Sequence, residues 1–165
     1  MSPRQLLLMR HGKALPAEHG QRDHDRALAP RGIANANQQA LAILPQASDA
    51  MLVSDAVRTR QTADILVDTW TSTGNGLPLR RDTPSGYLAS AEQWMDLLSM
   101  EADAHNRIWV VGHNPGISEL VWLLSGTPVA MATADVVHLD LDLAHWAEIG
   151  PHCARLRRHL PGRGH

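Results

Sequence analysis

Short apolar runs alternate with stretches of helical period along the chain. Gln5 to Met9 has the pattern of a strand buried on both faces. Ala29-Pro30-Arg31-Gly32 then opens a helix through Leu44, with Ile33, Ala36, Ala40, Leu41 and Leu44 on its core-facing side and Pro45 as the stop. Ala50 to Ser54 ("AMLVS") predicts a second strand. A second helix follows over about Val57 to Trp70, with Thr62, Ile65, Leu66, Thr69 and Trp70 at helical spacing. "TSTGNGLP" (71–78) is a loop by composition, and Leu79 to Asp82 a short strand. Ser90 and Gln93 make a capping box for a helix to about Ala102, whose apolar face is Trp94, Leu97 and Leu98. Ile108 to Val111 predicts the next strand, joined by "GHNPG" to a helix that Gly126 ends. Val137, Leu139 and Leu141 alternate with His138, Asp140 and Asp142, the mark of a half-exposed strand, and "HWAEI" is expected to pair with it as an edge hairpin. From Gly150 onward, arginine, proline and glycine predict an irregular tail.

Strand and helix alternate about four times, which predicts an α/β sandwich around a mostly parallel sheet. Ligands of such sheets bind beyond the carboxyl ends of the strands. Arg10-His11 follows the first strand, Ser54 with Arg58 the second, and Gly112-His113 a later one. Three strand ends therefore deliver polar groups to one edge.

Composition narrows the function classes. The 165 residues carry a net charge of −2 without a block of like charges, so a broad basic face for nucleic acid has no support. The length predicts one domain over 1–165. The first apolar run is short and followed at once by Arg10, unlike a signal peptide, and no run approaches the roughly 20 residues of a membrane span. Cys153 is the sole cysteine, which fits a reducing compartment. A cytoplasmic protein with no membrane and no nucleic-acid partner is expected.

Arg10, Arg58, His11 and His113 would repel one another unless an anion sat between them. A tetrahedral phosphoryl group suits them: arginine forks grip its oxygens, one imidazole attacks phosphorus in line, and the others stabilise the charge. Gly12 is expected to let the backbone approach the phosphate. The start of the helix after Asn114-Pro115-Gly116 is expected to add amide donors.

In order, Arg10-His11-Gly12, the stretch Ser54-Asp55-Ala56-Val57-Arg58-Thr59-Arg60-Gln61-Thr62 and Gly112-His113-Asn114-Pro115 resemble the histidine phosphatase superfamily, also called phosphoglycerate mutase-like. The resemblance runs from about residue 5 to 145. "RHGKA", "DRALAPRG" (25–32) and "PVAMATADVVHLDL" (128–141) are closest to the short bacterial phosphohistidine phosphatases of the SixA type. It implies a three-layer α/β/α sandwich, His11 as the transiently phosphorylated nucleophile, and Arg10, Arg58 and His113 as the phosphate pocket. It implies no cofactor and no metal.

One departure stands out. Mutase-type members carry a glutamate general acid a little after the second motif, but "LRRDTPSGYL" (79–88) contains none. Asp82 is its only carboxylate, either an acid at the pocket or a surface charge. A missing acid matters less when the leaving group is itself an imidazole, which points toward phosphohistidine in a partner protein. The other readings are a phosphatase of small phosphorylated metabolites, such as sugar phosphates, and a non-catalytic phospho-ligand binding module. Both histidines favour an enzyme.

Little chain is left for a lid, so a shallow, open pocket is expected. His19, Asp23, His24 and Asp25 lack a metal-site spacing and read as a solvated loop near the pocket mouth. Trp94, Trp122 and Trp146 read as packing residues, and His138 as exposed.

Overall fold

The computed structural model describes residues 3–46 and 49–163. Six strands form one sheet in the order β3-β2-β4-β1-β5-β6. They are β1 (Arg4–Arg10), β2 (Asp49–Ser54), β3 (Leu79–Thr83), β4 (Arg107–Gly112), β5 (Val136–Leu141) and β6 (Ala154–Leu160). β1, β2, β3 and β4 are mutually parallel, while β5 runs antiparallel to β1 and β6 antiparallel to β5. The helices are α1 (Pro30–Ala42), α2 (Val57–Ser72), α3 (Ala91–Ser99) and α4 (Gly116–Ser125).

Period-two alternation sorts the sheet into two cores. Leu7, Met9, Met51, Val53, Trp109 and Val111 face Ala36, Ala63, Leu66 and Trp70 of α1 and α2. Leu6, Leu8, Leu52, Ile108 and Val110 face Trp94, Leu98, Leu120 and Val121 of α3 and α4. The chain is therefore the expected three-layer α/β/α sandwich with a mostly parallel sheet. Among the described residues, no helix is long and apolar enough to cross a membrane.

Five expectations are corrected. The buried side of α1 is Gly32, Asn35, Ala36, Gln39 and Ala40. Ile33 (44% exposed), Leu41 (63%) and Leu44 (50%) face outward instead. Of the two polar residues on that buried side, Gln39 is anchored through its Nε2, which donates to Ala134 O and Leu160 O, both at 2.9 Å. The tail from about 150 is not irregular, because β6 forms the sheet edge. Its Arg-rich outer face mimics loop composition while Ala154 and Leu156 pack inward; Gly164 and His165 lie outside the described residues. "HWAEI" is not a hairpin arm. Trp146–Glu148 is a 3-10 turn that buries Trp146, whose Nε1 donates to His105 O at 2.7 Å. Trp122 is 57% exposed rather than packed, whereas Trp94 and Trp146 are buried. His138 is half-buried and 3.1 Å from Gln5 Oε1, not exposed.

Candidate active site

The carboxyl ends of β1, β2 and β4 meet at one edge of the sheet, as the parallel register requires: Arg10 pairs with Gly112, and Val53 with Val111. Arg10, His11, Arg58 and His113 all line one cavity of about 250 Å³ there, with Lys13 and Arg26. Among the described residues, no carboxyl side chain lines it.

His11 and His113 are almost fully buried, with ring centroids 5.2 Å apart. His11 Nδ1 lies 2.7 Å from Gly12 O. A carbonyl only accepts, so Nδ1 carries the ring proton and Nε2 holds the lone pair. Arg58 Nε donates to that Nε2 at 3.3 Å, which fits this tautomer. Burial, followed by the charges of Arg58, Arg10 and Arg26, lowers the His11 pKa to about 4 against the opposing Gly12 bond. The ring is thus neutral and its Nε2 unprotonated near pH 7, the state a nucleophile needs.

His113 is lowered to about 3, by burial first and then by His11 and Arg58. Its Nε2 is 2.7 Å from Ser54 Oγ, and its buried Nδ1 has no protein partner. Its Nδ1 is thus left to meet a hydrogen-bond partner that a ligand brings. Arg10 donates from Nη1 to Met131 O at 3.0 Å, and its buried Nε has no partner either.

Arg58 is held by Asp23, a residue expected in a solvated loop near the pocket mouth. Its Nη1 donates to Asp23 O at 2.8 Å and its Nη2 to Asp23 Oδ2 at 2.9 Å. Tyr87 Oη donates to the same Oδ2 at 2.6 Å, and Arg26 Nη1 to Oδ1 at 2.9 Å. Tyr87, then Arg26 and Arg58, keep Asp23 ionised well below the usual carboxylate range. Tyr87 also stands edge-on to His24 and to His113, at 4.9 and 5.5 Å between ring centroids. His24 is fixed in turn, with Nε2 2.9 Å from Asp55 Oδ1. The signals that were available are the charge-dense "RDHDR" loop and Tyr87, the only tyrosine of the chain.

Asp82 lies on edge strand β3 and accepts from Arg80 Nε at 2.8 Å, outside the cavity lining. Two backbone expectations also change. The space beside Gly12 is filled by protein: a Cβ there would stand 2.7 Å from Gly32 O, and one on Gly32 would stand 2.2 Å from Lys13 O. The glycine pair lets the first turn of α1 pack on the β1 end loop. The second and third amides of α4 are spent locally, Ile117 N on His113 O and Ser118 N on Asn114 Oδ1.

The segment after α4 closes the site from behind. Ala134 N donates to both Arg10 O and His11 O at 3.0 Å. Buried Asp135 accepts from Ala132 N, His159 Nε2 and Gly162 N, tying the end of β6 to the β1 end loop. Among the described residues, no group of three or more His, Cys, Asp or Glu side chains is arranged to hold a metal ion.

A sandwich of this topology with paired histidines and arginines at its strand ends defines a class, and the comparisons agree with it. The family model of the histidine phosphatase superfamily (branch 1) matches residues 6–83, a span holding Arg10, His11 and Arg58. An uncharacterized protein of Mycobacterium tuberculosis (strain ATCC 25618 / H37Rv) is 36% identical over 162 residues, 90% of this chain and 96% of that protein. Among solved structures, a Nakamurella multipartitia protein assigned as the phosphohistidine phosphatase SixA superposes with a TM-score of 0.80 at 26% identity, covering 97% of this chain and 96% of that one. A SixA assignment from Agrobacterium tumefaciens gives 0.76 at 25% identity over 97% and 99% of the two chains. The chain belongs to the histidine phosphatase superfamily. It is a hydrolase, a phosphatase whose fold matches those of the SixA-assigned structures.

Proposed function

We propose that the protein removes phosphoryl groups from histidine side chains of a partner protein, through a phosphohistidine formed at its own His11, and that it does so in the cytoplasm. In the first step His11 Nε2 bonds to phosphorus as the bond from phosphorus to the substrate imidazole breaks. Arg10, Arg58 and His113 hold the non-bridging oxygens. The substrate phosphohistidine reacts in its ring-protonated form, so its ring leaves as neutral imidazole, keeping the proton on its other nitrogen, and the phosphorylated His11 keeps its own proton on Nδ1. In the second step water attacks phosphorus, the bond to His11 Nε2 breaks, and inorganic phosphate departs with His11 neutral again.

The observation that carries this reading is a cavity lined by Arg10, Lys13, Arg26 and Arg58 and, among the described residues, by no carboxyl side chain. Asp23, beside it, is locked in the ionised form and has no proton to give. An alkoxide leaving group needs a positioned acid, worth about 10²–10⁴-fold in rate. Imidazole-to-imidazole transfer exchanges chemically equal nitrogens and needs none. The cavity, at about 250 Å³, also falls below the roughly 300–1,000 Å³ of sites that enclose a small molecule. It suits a side chain presented by a folded partner.

Comparative kcat/KM values test the proposal. A phosphohistidine protein is expected to exceed sugar phosphates and nucleoside monophosphates by on the order of 10²-fold. A small phosphoester turned over better than any phosphohistidine protein would reverse the assignment.

A further inference from the structure

Beside the catalytic cavity lies a second one of about 270 Å³, lined by Arg10, Lys13, Arg31, Ala132, Thr133 and Arg163. Arg10, Lys13 and Thr133 line both, so the two share a wall. Its cations come from four places in the chain: the end of β1, the loop after it, the first turn of α1, and the segment past β6.

Most arginines of this chain close on carboxylates, as Arg4 does on Asp103 and Arg80 on Asp64 and Asp82. These do not. Among the described residues, the side chains of Lys13, Arg31 and Arg163 have no hydrogen-bond or ion-pair partner, and Arg10 bonds only to Met131 O. Asp135 acts on Arg10 through space, but its oxygens are occupied by Ala132 N, His159 and Gly162 N. α1 also starts here without a side-chain cap on Ala29, so its partial positive charge is not offset locally. A chain of net charge −2 thus gathers on one concave surface four cations that have no carboxylate partner among the described residues. Low-dielectric walls focus such a field on an anion.

We propose that this cavity is a second anion site that binds an acidic group of the same substrate, a carboxylate or a further phosphoryl group, next to the phosphoryl group undergoing transfer. It extends the proposed function, on which only the identity of the main substrate rests. For a phosphohistidine protein the group is an acidic side chain flanking the phosphorylated histidine. Recognition there tightens binding without touching the reacting atoms, so it acts on KM and leaves kcat alone.

Calorimetric binding of inorganic phosphate and of methylenediphosphonate decides whether the site exists. In wild type, and in an Arg155→Gln control on the far end of β6, the diphosphonate is expected to bind at least about tenfold more tightly than phosphate. In the Arg31→Gln/Arg163→Gln double variant that advantage falls to about twofold or less, while phosphate affinity is unchanged. An advantage that is absent in wild type, or that survives in the double variant, overturns the proposal. Phosphohistidine peptides flanked by Glu or by Gln then separate the sources. A lower KM for the Glu peptide, lost in the double variant, assigns the site to a partner's carboxylate. A gain with the diphosphonate alone assigns it to a second phosphoryl group. If no phosphohistidine peptide is hydrolysed, the proposed function fails, and the binding ratio still decides the second site.

Discussion

A free histidine titrates near 6.5; burial carries His11 down to about 4 and His113 to about 3, so both stay neutral in an arginine-rich pocket. In the proposed reaction this neutrality leaves His11 Nε2 nucleophilic, and Arg10 and Arg58 supply the charge that a phosphoryl transition state needs. Arg10→Ala and Arg58→Ala are each expected to lower kcat/KM by on the order of 10²-fold or more. Steady-state kinetics check this, and a variant near wild type would remove that arginine from the machinery. These four residues were legible in the sequence because each sits at or just after a strand end, where the chain's own order marks the edge. Asp23 and Tyr87 were not. Asp23 grips Arg58 across 35 residues and Tyr87 reaches Asp23 across 64, partnerships that only the fold creates.

Elements whose cause is local were read correctly. The capping box of Ser90 and Gln93 starts α3, and Gly126 ends α4 with φ at 73°. The buried face of α1 was misread because its packing is tertiary: Gln39 bonds carbonyls 95 and 121 residues away, and Gly32 is chosen for contact rather than for helix propensity. β6 was missed because an edge strand with a charged outer face resembles a loop in composition. The contact of α1 with the β1 end loop yields a prediction at this scale. Gly32→Ala places a methyl 2.2 Å from Lys13 O. The backbone must move, at a cost of about 1–3 kcal/mol. Thermal denaturation should show a lower Tm together with reduced activity, since Lys13 and His11 share that loop. An unchanged Tm would mean that the close approach does not exist.

On the scale of the whole molecule, the sheet is also an acid-sensitive structure. His11, His113 and His138 are held neutral chiefly by burial, with pKa values of about 4, 3 and 4. In the unfolded chain they take up protons near 6.5. Between those limits the unfolded state binds more protons than the folded one, so stability falls as pH falls through the window and levels off below it. The Tm is expected to drop from pH 6.5 to 4, with a shallower slope in His11→Ala. Equal slopes in the two proteins would show that His11 is not held neutral by the fold.

The central claim is that the phosphoryl group passes through His11 Nε2. Rapid quenching after mixing the enzyme with a partner protein carrying labelled phosphohistidine tests it most directly. Transfer through His11 gives acid-labile, alkali-stable label on the wild-type enzyme, mapped to His11, and none on His11→Ala. Label retained in His11→Ala, or turnover without any labelled enzyme, would contradict it.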